Sequence, residues 1–434
     1  MGTSASQRAV LIIATLDTKS EEVIYLNRRI SEYGLDTLVV DTGILGEPSG
    51  IVPDIAASET AIAGGITLDE LRQKGVRGLA IEEMLKGAIS VTDKLFKEGR
   101  IHGIISMGGA EGGVMAAAAM QVLPPGFPKI IITPLASGVR PFGPFIGIRD
   151  IMVMHSLVDI AGINEISRTV FNNAAAAISG MVRSYRPMEV TSDNLVAITT
   201  LGTTDRALKF ILPGLEKSGY IPVVFHSSGV GGQVMEDMIE KGFFCGVVDL
   251  CINELTDHLV GAYHDAGPHR LKAAGKMRIP QVVSTGCVDF FVQGALETIP
   301  EKWRERKMYY HNPKFTLIRT SESEMQVVGE TAAHRLNQAK GPVTVILPLN
   351  GMSISGLEGG STHDPEADRI LFDTLRKGLR KDIHVIDAER HINEAPFADL
   401  VVNAFVALMS KEASASILRQ HSNKGDPDAN RLQI

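Results

Sequence analysis

The chain has 434 residues, of which 44% are hydrophobic and 21% charged, with a formal net charge of −7. That length calls for two or three globular domains, and the acidic balance, with no basic run, excludes a dedicated nucleic-acid binder. No apolar run reaches the roughly 18 residues of a membrane span. The three cysteines, Cys245, Cys251 and Cys287, form no CxxC pair and no disulfide framework, so a reducing, cytoplasmic setting is expected. The opening MGTSASQRAV has no signal-peptide architecture.

The first strand runs into Thr15-Leu16-Asp17-Thr18-Lys19, a hydroxyl-rich turn, and then into a helix. That helix has Glu21 and Glu22 in its first turn and Arg28 and Arg29 later, which already complements its dipole. A glycine stop and a second strand follow, ending at Asp41-Thr42-Gly43. Asp17 and Lys19 suit a metal and a phosphate; N-capping by Asp17, Thr18 or Ser20 is the plainer alternative. Asp41 suits ribose hydroxyls, as a strand-end acid does in dinucleotide folds, or simply faces solvent. Strands are expected at Gly78–Glu82, at His102–Met107 and at Lys129–Pro134.

Residues 101–120 read IHGIISMGGAEGGVMAAAAM: an apolar strand, a glycine loop and an alanine-rich helix. Gly108, Gly109, Gly112 and Gly113 leave the backbone bare where helix N–H groups are free, which favours an anion. The loop is neither GxxxxGK[ST] nor GxGxxG, and a tight packing turn is the alternative reading. Glu111 inside it repels a phosphate unless Mg²⁺ intervenes; it is either a metal ligand or turned to water. Ser137 and Gly138 follow the next strand and lie along the same sheet edge.

A polar stretch, SYRPMEVTSDN, separates a first domain, 1–188, from a second, 189–434. A shift of 185 positions aligns Ala14–Gly43 with Thr199–Ser228, matching Thr15 to Thr200 and Gly34 to Gly219. Both copies read as βαβ units, so the fold class is α/β with two doubly wound, Rossmann-like domains and mainly parallel sheets. In the second half, strands are expected near Leu195–Thr200, Pro222–His226, Gly246–Leu250, Gln281–Ser284, Thr316–Arg319, Val343–Pro348 and His384–Asp387. Strand-end His226 precedes a second glycine junction, Ser227 to Gly232. Glu254 follows the next strand, and His264 and His269 sit in a turn-rich loop. His226, His264 and Glu254 are candidates to face a substrate. Cys287 forms a nucleophile pair with His226 or His264 in one reading and is a buried, inert thiol in the other. The loop Asn350 to Asp364 reads as a lid or as a disordered segment.

The segments ATLDTK, SMGGAEGG, LASG, DIAGINEISR, FHSSGVGGQVMEDM and DPEA resemble, in order and spacing, the N-terminal ATP-binding domain of a plant tobamovirus resistance protein and its functionally unassigned bacterial relatives. The resemblance covers nearly the whole chain. It implies two Rossmann-like domains, ATP with Mg²⁺ in the first, and a homodimer. It carries nucleotide contact onto Asp17–Lys19, Gly108–Gly113 and 137–138. Where the plant pattern has GGSGGT, this chain has Gly108-Gly109-Ala110-Glu111-Gly112-Gly113, so a hydroxyl is lost. The plant protein continues into a TIM barrel; a separate barrel protein is the corresponding partner here. Three functions follow as expectations. The first is an Mg-ATP-binding protein of small-molecule metabolism, with its substrate between the halves. The second is a nucleotide-sensing subunit of a barrel partner. The third is an ATP-independent enzyme acting on a carbonyl or acyl group.

Overall fold

The computed structural model describes residues 8–74, 77–136, 146–188 and 193–422, with side chains at 77, 110, 111 and 411–422 excepted. The chain divides into two compact units, 1–189 and 190–434. Both are α/β, with parallel main sheets and interleaved helices.

In the first unit the elements are β1 (Ala9–Ala14), α1 (Leu16–Glu32), β2 (Asp36–Asp41), α2 (Ala57–Ala63), α3 (Leu68–Gln73), α4 (Arg77–Lys97), β3 (Gly103–Met107), α5 (Ala110–Gln121), β4 (Lys129–Thr133), β5 (Met152–His155) and α6 (Glu165–Ser184). The sheet order is β2-β1-β3-β4-β5, and every pairing is parallel. The run AVLIIA is buried throughout because β1 is central and covered on both faces. Val10 and Ile12 join the core shared with α1 and α6; Leu11 and Ile13 join the core shared with α4 and α5.

The strand expected at Gly78–Glu82 is instead the first turn and a half of α4. The deciding signal lies downstream: Ala80, Met84, Ala88, Val91 and Leu95 are all buried, at helical spacing. The glycine loop therefore follows the third strand of its sheet.

The second unit contains β6 (Leu195–Thr200), α7 (Asp205–Lys217), β7 (Ile221–His226), α8 (Val230–Glu240), β8 (Gly246–Cys251), α9 (Asn253–Val260), α10 (Ala273–Met277), β9 (Gln281–Gly286), β10 (Phe290–Gln293), β11 (Met308–Asn312), β12 (Phe315–Arg319), α11 (Glu322–Asn337), β13 (Val343–Pro348), α12 (Pro365–Gly378), β14 (His384–Ala388) and α13 (Ala395–Ser422). Its main sheet is parallel, in the order β14-β13-β9-β8-β6-β7. Counted along the chain, the parallel strands lie 2-1-3-4-5 in the first unit and 2-1-3-4-5-6 in the second. Strand order thus reverses between β1 and β3, and again between β6 and β8. These are the switch points at which open α/β sheets bind ligands, beyond the strands' carboxyl ends. Thr316–Arg319 is a strand, but it belongs to a separate antiparallel sheet, β10-β12-β11.

Candidate functional site

The β1/β3 crevice of the first unit is bordered by the turn after β1 and by the β3–α5 glycine junction. Gly109 is the N-cap of α5, with extended backbone (φ −69°, ψ −153°) and no side-chain cap. Gly113 N–H donates to the Gly109 carbonyl at 2.9 Å, opening the helix. Helix geometry leaves the N–H groups before it without intrahelical partners. Gly108 packs tightly, since a Cβ there would sit 3.0 Å from Gly112 Cα. Among the described residues, a Cβ on Gly109 would meet nothing within 4 Å, and one on Gly112 only Met107 O at 3.7 Å. Among the described residues, the junction therefore combines helix-start N–H groups with open space. Glu111 lies in the first turn of α5, but its side chain is outside the described residues, as are Ser137 and Gly138 altogether.

The acids beside the crevice are already engaged. Asp41, 1% exposed, accepts at Oδ1 from Leu16 N–H (3.0 Å) and Gly43 N–H (2.8 Å). Burial raises its carboxyl above the usual range, against the lowering effect of those two bonds. Asp17 accepts at Oδ2 from Ile44 N–H (3.2 Å) and Leu45 N–H (3.0 Å), fixing the loop after β2. Gly43 must be glycine, because a Cβ would lie 2.9 Å from Asp17 Cγ. Thr18 Oγ1 pairs with Thr15 Oγ1 at 3.2 Å, and Lys19 Nζ donates to the Ile160 carbonyl. Asp17 and Asp41 are thus anchors of the loop backbone, and Lys19 ties α1 to the segment before α6. Among the described residues, no group of three His, Cys, Asp or Glu side chains is placed to hold a metal ion.

The second glycine junction, before α8, differs in one decisive respect. Glu254 Oε1 accepts from Gly229 N–H (2.7 Å) and Gly232 N–H (2.9 Å). The position an anion would take is filled from inside the protein. The other oxygen, Oε2, accepts from Arg270 Nε at 2.7 Å. Arg270 is fully buried and also donates to Asp249 (2.5 and 2.6 Å), to Glu236 (3.3 Å) and to the Cys251 carbonyl (3.2 Å). Glu236 in turn accepts from Leu271 and Ala273 N–H. One guanidinium therefore joins β8, α8 and α9. The expectation that Glu254 faces a substrate gives way to this role: it is fully buried and both oxygens are engaged.

Cys287 is also fully buried, 3.0 Å from Thr203 Oγ1, in the left-handed region at φ +60°. Burial, then the neighbouring Cys251 and Asp289, push its thiol well above the usual range, the reverse of an activated nucleophile. His226 is exposed at the end of β7, and His264 is half-buried with Nδ1 3.4 Å from Asn253 Nδ2. Burial and the nearby His226 depress the His264 imidazole to about 4, so it is neutral at pH 7. No hydrogen bond or ion pair joins either histidine to Cys287. The loop read as a lid is pinned: Ser353 donates to Asp289 at 2.5 Å, and Asp364 caps α12.

Sequence reasoning missed Arg270 and also Arg319. Arg319 Nη2 pairs with Asp368 at 2.5 Å, while Nε and Nη1 have no hydrogen-bond partner among the described residues. The available signal was a lone acid inside an apolar strand, Asp249 in GVVDLC, which demands a buried cation.

Comparison with known proteins gives a consistent picture. Residues 8–187 match the uncharacterised protein family UPF0261 N-terminal domain, and 193–409 match its C-terminal domain. A UPF0261 protein of Clostridium tetani is 38% identical over 405 residues, covering 93% of this chain and 100% of its own. The ToMV resistance protein Tm-1(GCR237) of Solanum lycopersicum is 32% identical over 93% of this chain and 56% of its own length. Among solved structures, a UDP-N-acetylglucosamine 2-epimerase from Rickettsia bellii shows a distant likeness of fold class only (10% identity, 64% of this chain and 78% of that one, TM-score 0.22).

Proposed function

The chain belongs to the uncharacterised protein family UPF0261, and from that premise we propose that its first unit binds a phosphate-bearing small molecule in the β1/β3 crevice, Mg-ATP being the first candidate. The observation that carries this reading is a contrast. Both units place glycine junctions at the carboxyl edge of a parallel sheet. In the second, Glu254 fills the anion position; in the first, no described residue fills the space at Gly109 and Gly112. A helix N-terminus of α5's length favours a negative ligand.

The bare glycine backbone at a helix start supports an anion such as phosphate; the choice of ATP comes from the resemblance to the plant resistance protein's ATP-binding domain. The N–H groups at the start of α5 would take the phosphate oxygens. Mg²⁺ would neutralise the phosphates and offset the Glu111 charge. Because Asp17 and Asp41 already hold backbone N–H groups, Mg²⁺ would enter with the nucleotide and keep several waters, the usual habit of this ion. The buried, high-pKa Cys287 counts against the reading in which that thiol attacks a carbonyl or acyl group. Whether ATP is consumed, or serves a subunit that senses it, turns on turnover measurements.

The test is calorimetric titration with ATP, with and without Mg²⁺, on the wild type and on Gly112→Asp. Among the described residues a Cβ at position 112 has one neighbour, at 3.7 Å, so the substitution starts in open space. Binding in the wild type and its loss in the variant are expected. Absence of heat in the wild type would end the proposal.

A further inference from the structure

A cavity of about 600 Å³ opens in the second unit, at the amino ends of β13 and β14 and beside α13. That volume lies within the usual span of small-molecule sites, roughly 300–1,000 Å³. The side chains of α13 explain why it exists. Phe405 meets Tyr220 edge-on, with ring centroids 5.2 Å apart, and closes on Gly246, where a Cβ would lie 2.6 Å from the ring. Ala404 and Ala407, on the same helix, line the cavity with methyl groups only. Val343, Ile383, Ile386 and Leu408 complete an apolar floor.

The rim is cationic and held in place. Arg380 Nη1 donates to the Asn337 and Ala339 carbonyls at 2.8 and 2.9 Å, and Asp382 Oδ1 lies 2.9 Å from Nε. Nη2 makes no hydrogen bond among the described residues. Lys340 is fixed through its backbone: its N–H donates to the Gly275 carbonyl at 3.0 Å, and a Cβ on Gly341 would lie 2.6 Å from the Arg278 carbonyl carbon. The Lys340 ammonium has no partner among the described residues. Lys340 and Arg380 against Asp382 leave one excess positive charge at the rim. An apolar floor under a single excess charge matches an amphipathic anion with one negative charge. A polyphosphate would find most of its charge unmatched and would leave the floor uncovered.

We propose that this cavity binds a small aliphatic carboxylate, its chain on the floor and its head between Lys340 Nζ and Arg380 Nη2. The site belongs to the second unit and stands whether or not the β1/β3 crevice of the first binds phosphate.

The experiment is calorimetric titration of the full chain with hexanoate, octanoate and decanoate, and with octanol as the uncharged counterpart. It is run on the wild type, Lys340→Gln, Ala407→Trp and Ala407→Ser. Lys340 and Ala407 are both exposed, so the substitutions stay out of the core. Affinity should rise about fourfold per methylene along the series, the return for burying each CH₂. Octanoate should bind the wild type more tightly than octanol. Lys340→Gln should weaken octanoate about fivefold, the attraction of unit charges about 4 Å apart in water, and leave octanol unchanged. Ala407→Trp fills the space and should abolish both ligands; Ala407→Ser should keep both. No binding to the wild type, a flat series, equal binding of octanoate and octanol, or binding indifferent to Ala407→Trp overturns the proposal. If Ala407→Trp melts early, the octanoate–octanol split in Lys340→Gln decides instead, and its absence overturns the proposal.

Discussion

Replacing Gly109 by aspartate would install at the start of α5 the kind of internal anion that Glu254 provides at α8. The position has a negative φ (φ −69°, ψ −153°), and among the described residues a Cβ there meets nothing within 4 Å. Aspartate is among the preferred N-caps, better than glycine by a few tenths of a kcal/mol, and its charge adds about 0.3–1 kcal/mol against the helix dipole. For a unit of this size that corresponds to a melting temperature raised by about 1–3 °C. Ligand binding moves the other way. A carboxylate about 4 Å from a phosphate oxygen, at an effective dielectric near 20, costs roughly 4 kcal/mol, or about 10³-fold in affinity. Gly109→Asn separates charge from bulk, since it caps comparably and carries no charge. The assay pairs a thermal melt without ligand with an Mg-ATP titration. The reasoning is refuted if Gly109→Asp binds Mg-ATP as tightly as Gly109→Asn, or if its unliganded melting temperature falls.

Three further outcomes are expected. Arg270→Met strands three buried carboxylates and should cost about 3–5 kcal/mol in urea unfolding; a change under about 1 kcal/mol would show that the ion hub is not holding β8, α8 and α9 together. His264, depressed from 6.5 to about 4, should show a flat imidazole C2-proton shift from pH 8 to 5. Between those pKa values the unfolded chain takes up a proton that the folded one refuses, so its contribution is present above pH 6.5 and lost as pH falls to about 4. His264→Gln should flatten that part of the stability profile; an imidazole titrating near 6.5 in the folded wild type would contradict the burial argument. Cys251 and Cys287 should resist a thiol reagent at pH 8 until the protein is denatured; rapid stoichiometric labelling of Cys287 in the native state would restore it as a nucleophile.

The parts of the fold legible in the sequence are those written locally. The continuous apolar run of β1 marks a central parallel strand, and the 185-residue shift carries β2, Asp36–Asp41, onto β7, Ile221–His226. Even there the ladders differ by one residue: Ala14 pairs with Asp41, whereas the shifted position Thr199 pairs with Phe225. Gly78–Glu82 misled because five residues fit a short strand, and only the longer helical period running to Leu95 decides. The site was legible as glycine loops but not as open or filled. The difference depends on Glu254, 22 and 25 residues from the N–H groups it occupies, and on Arg270, which reaches carboxylates 16 to 34 residues away. Nothing in a glycine motif records which distant acid folds back onto it.

The position of β1 at the switch point also governs how this unit is born. β1 pairs with β2 on one edge, Ala9 opposite Asp36, but on the other it waits for Gly103, 93 residues after its partner Val10. At ~5–20 residues per second of synthesis, that wait is about 5–20 s. Throughout it, a six-residue apolar strand with one bare edge is held at the ribosome with no legitimate neighbour. Any other nascent strand is a competitor for that edge. The same reversal of strand order that opens a crevice at the sheet edge thus makes the first 102 residues of the chain a client for whatever shields them until β3 arrives.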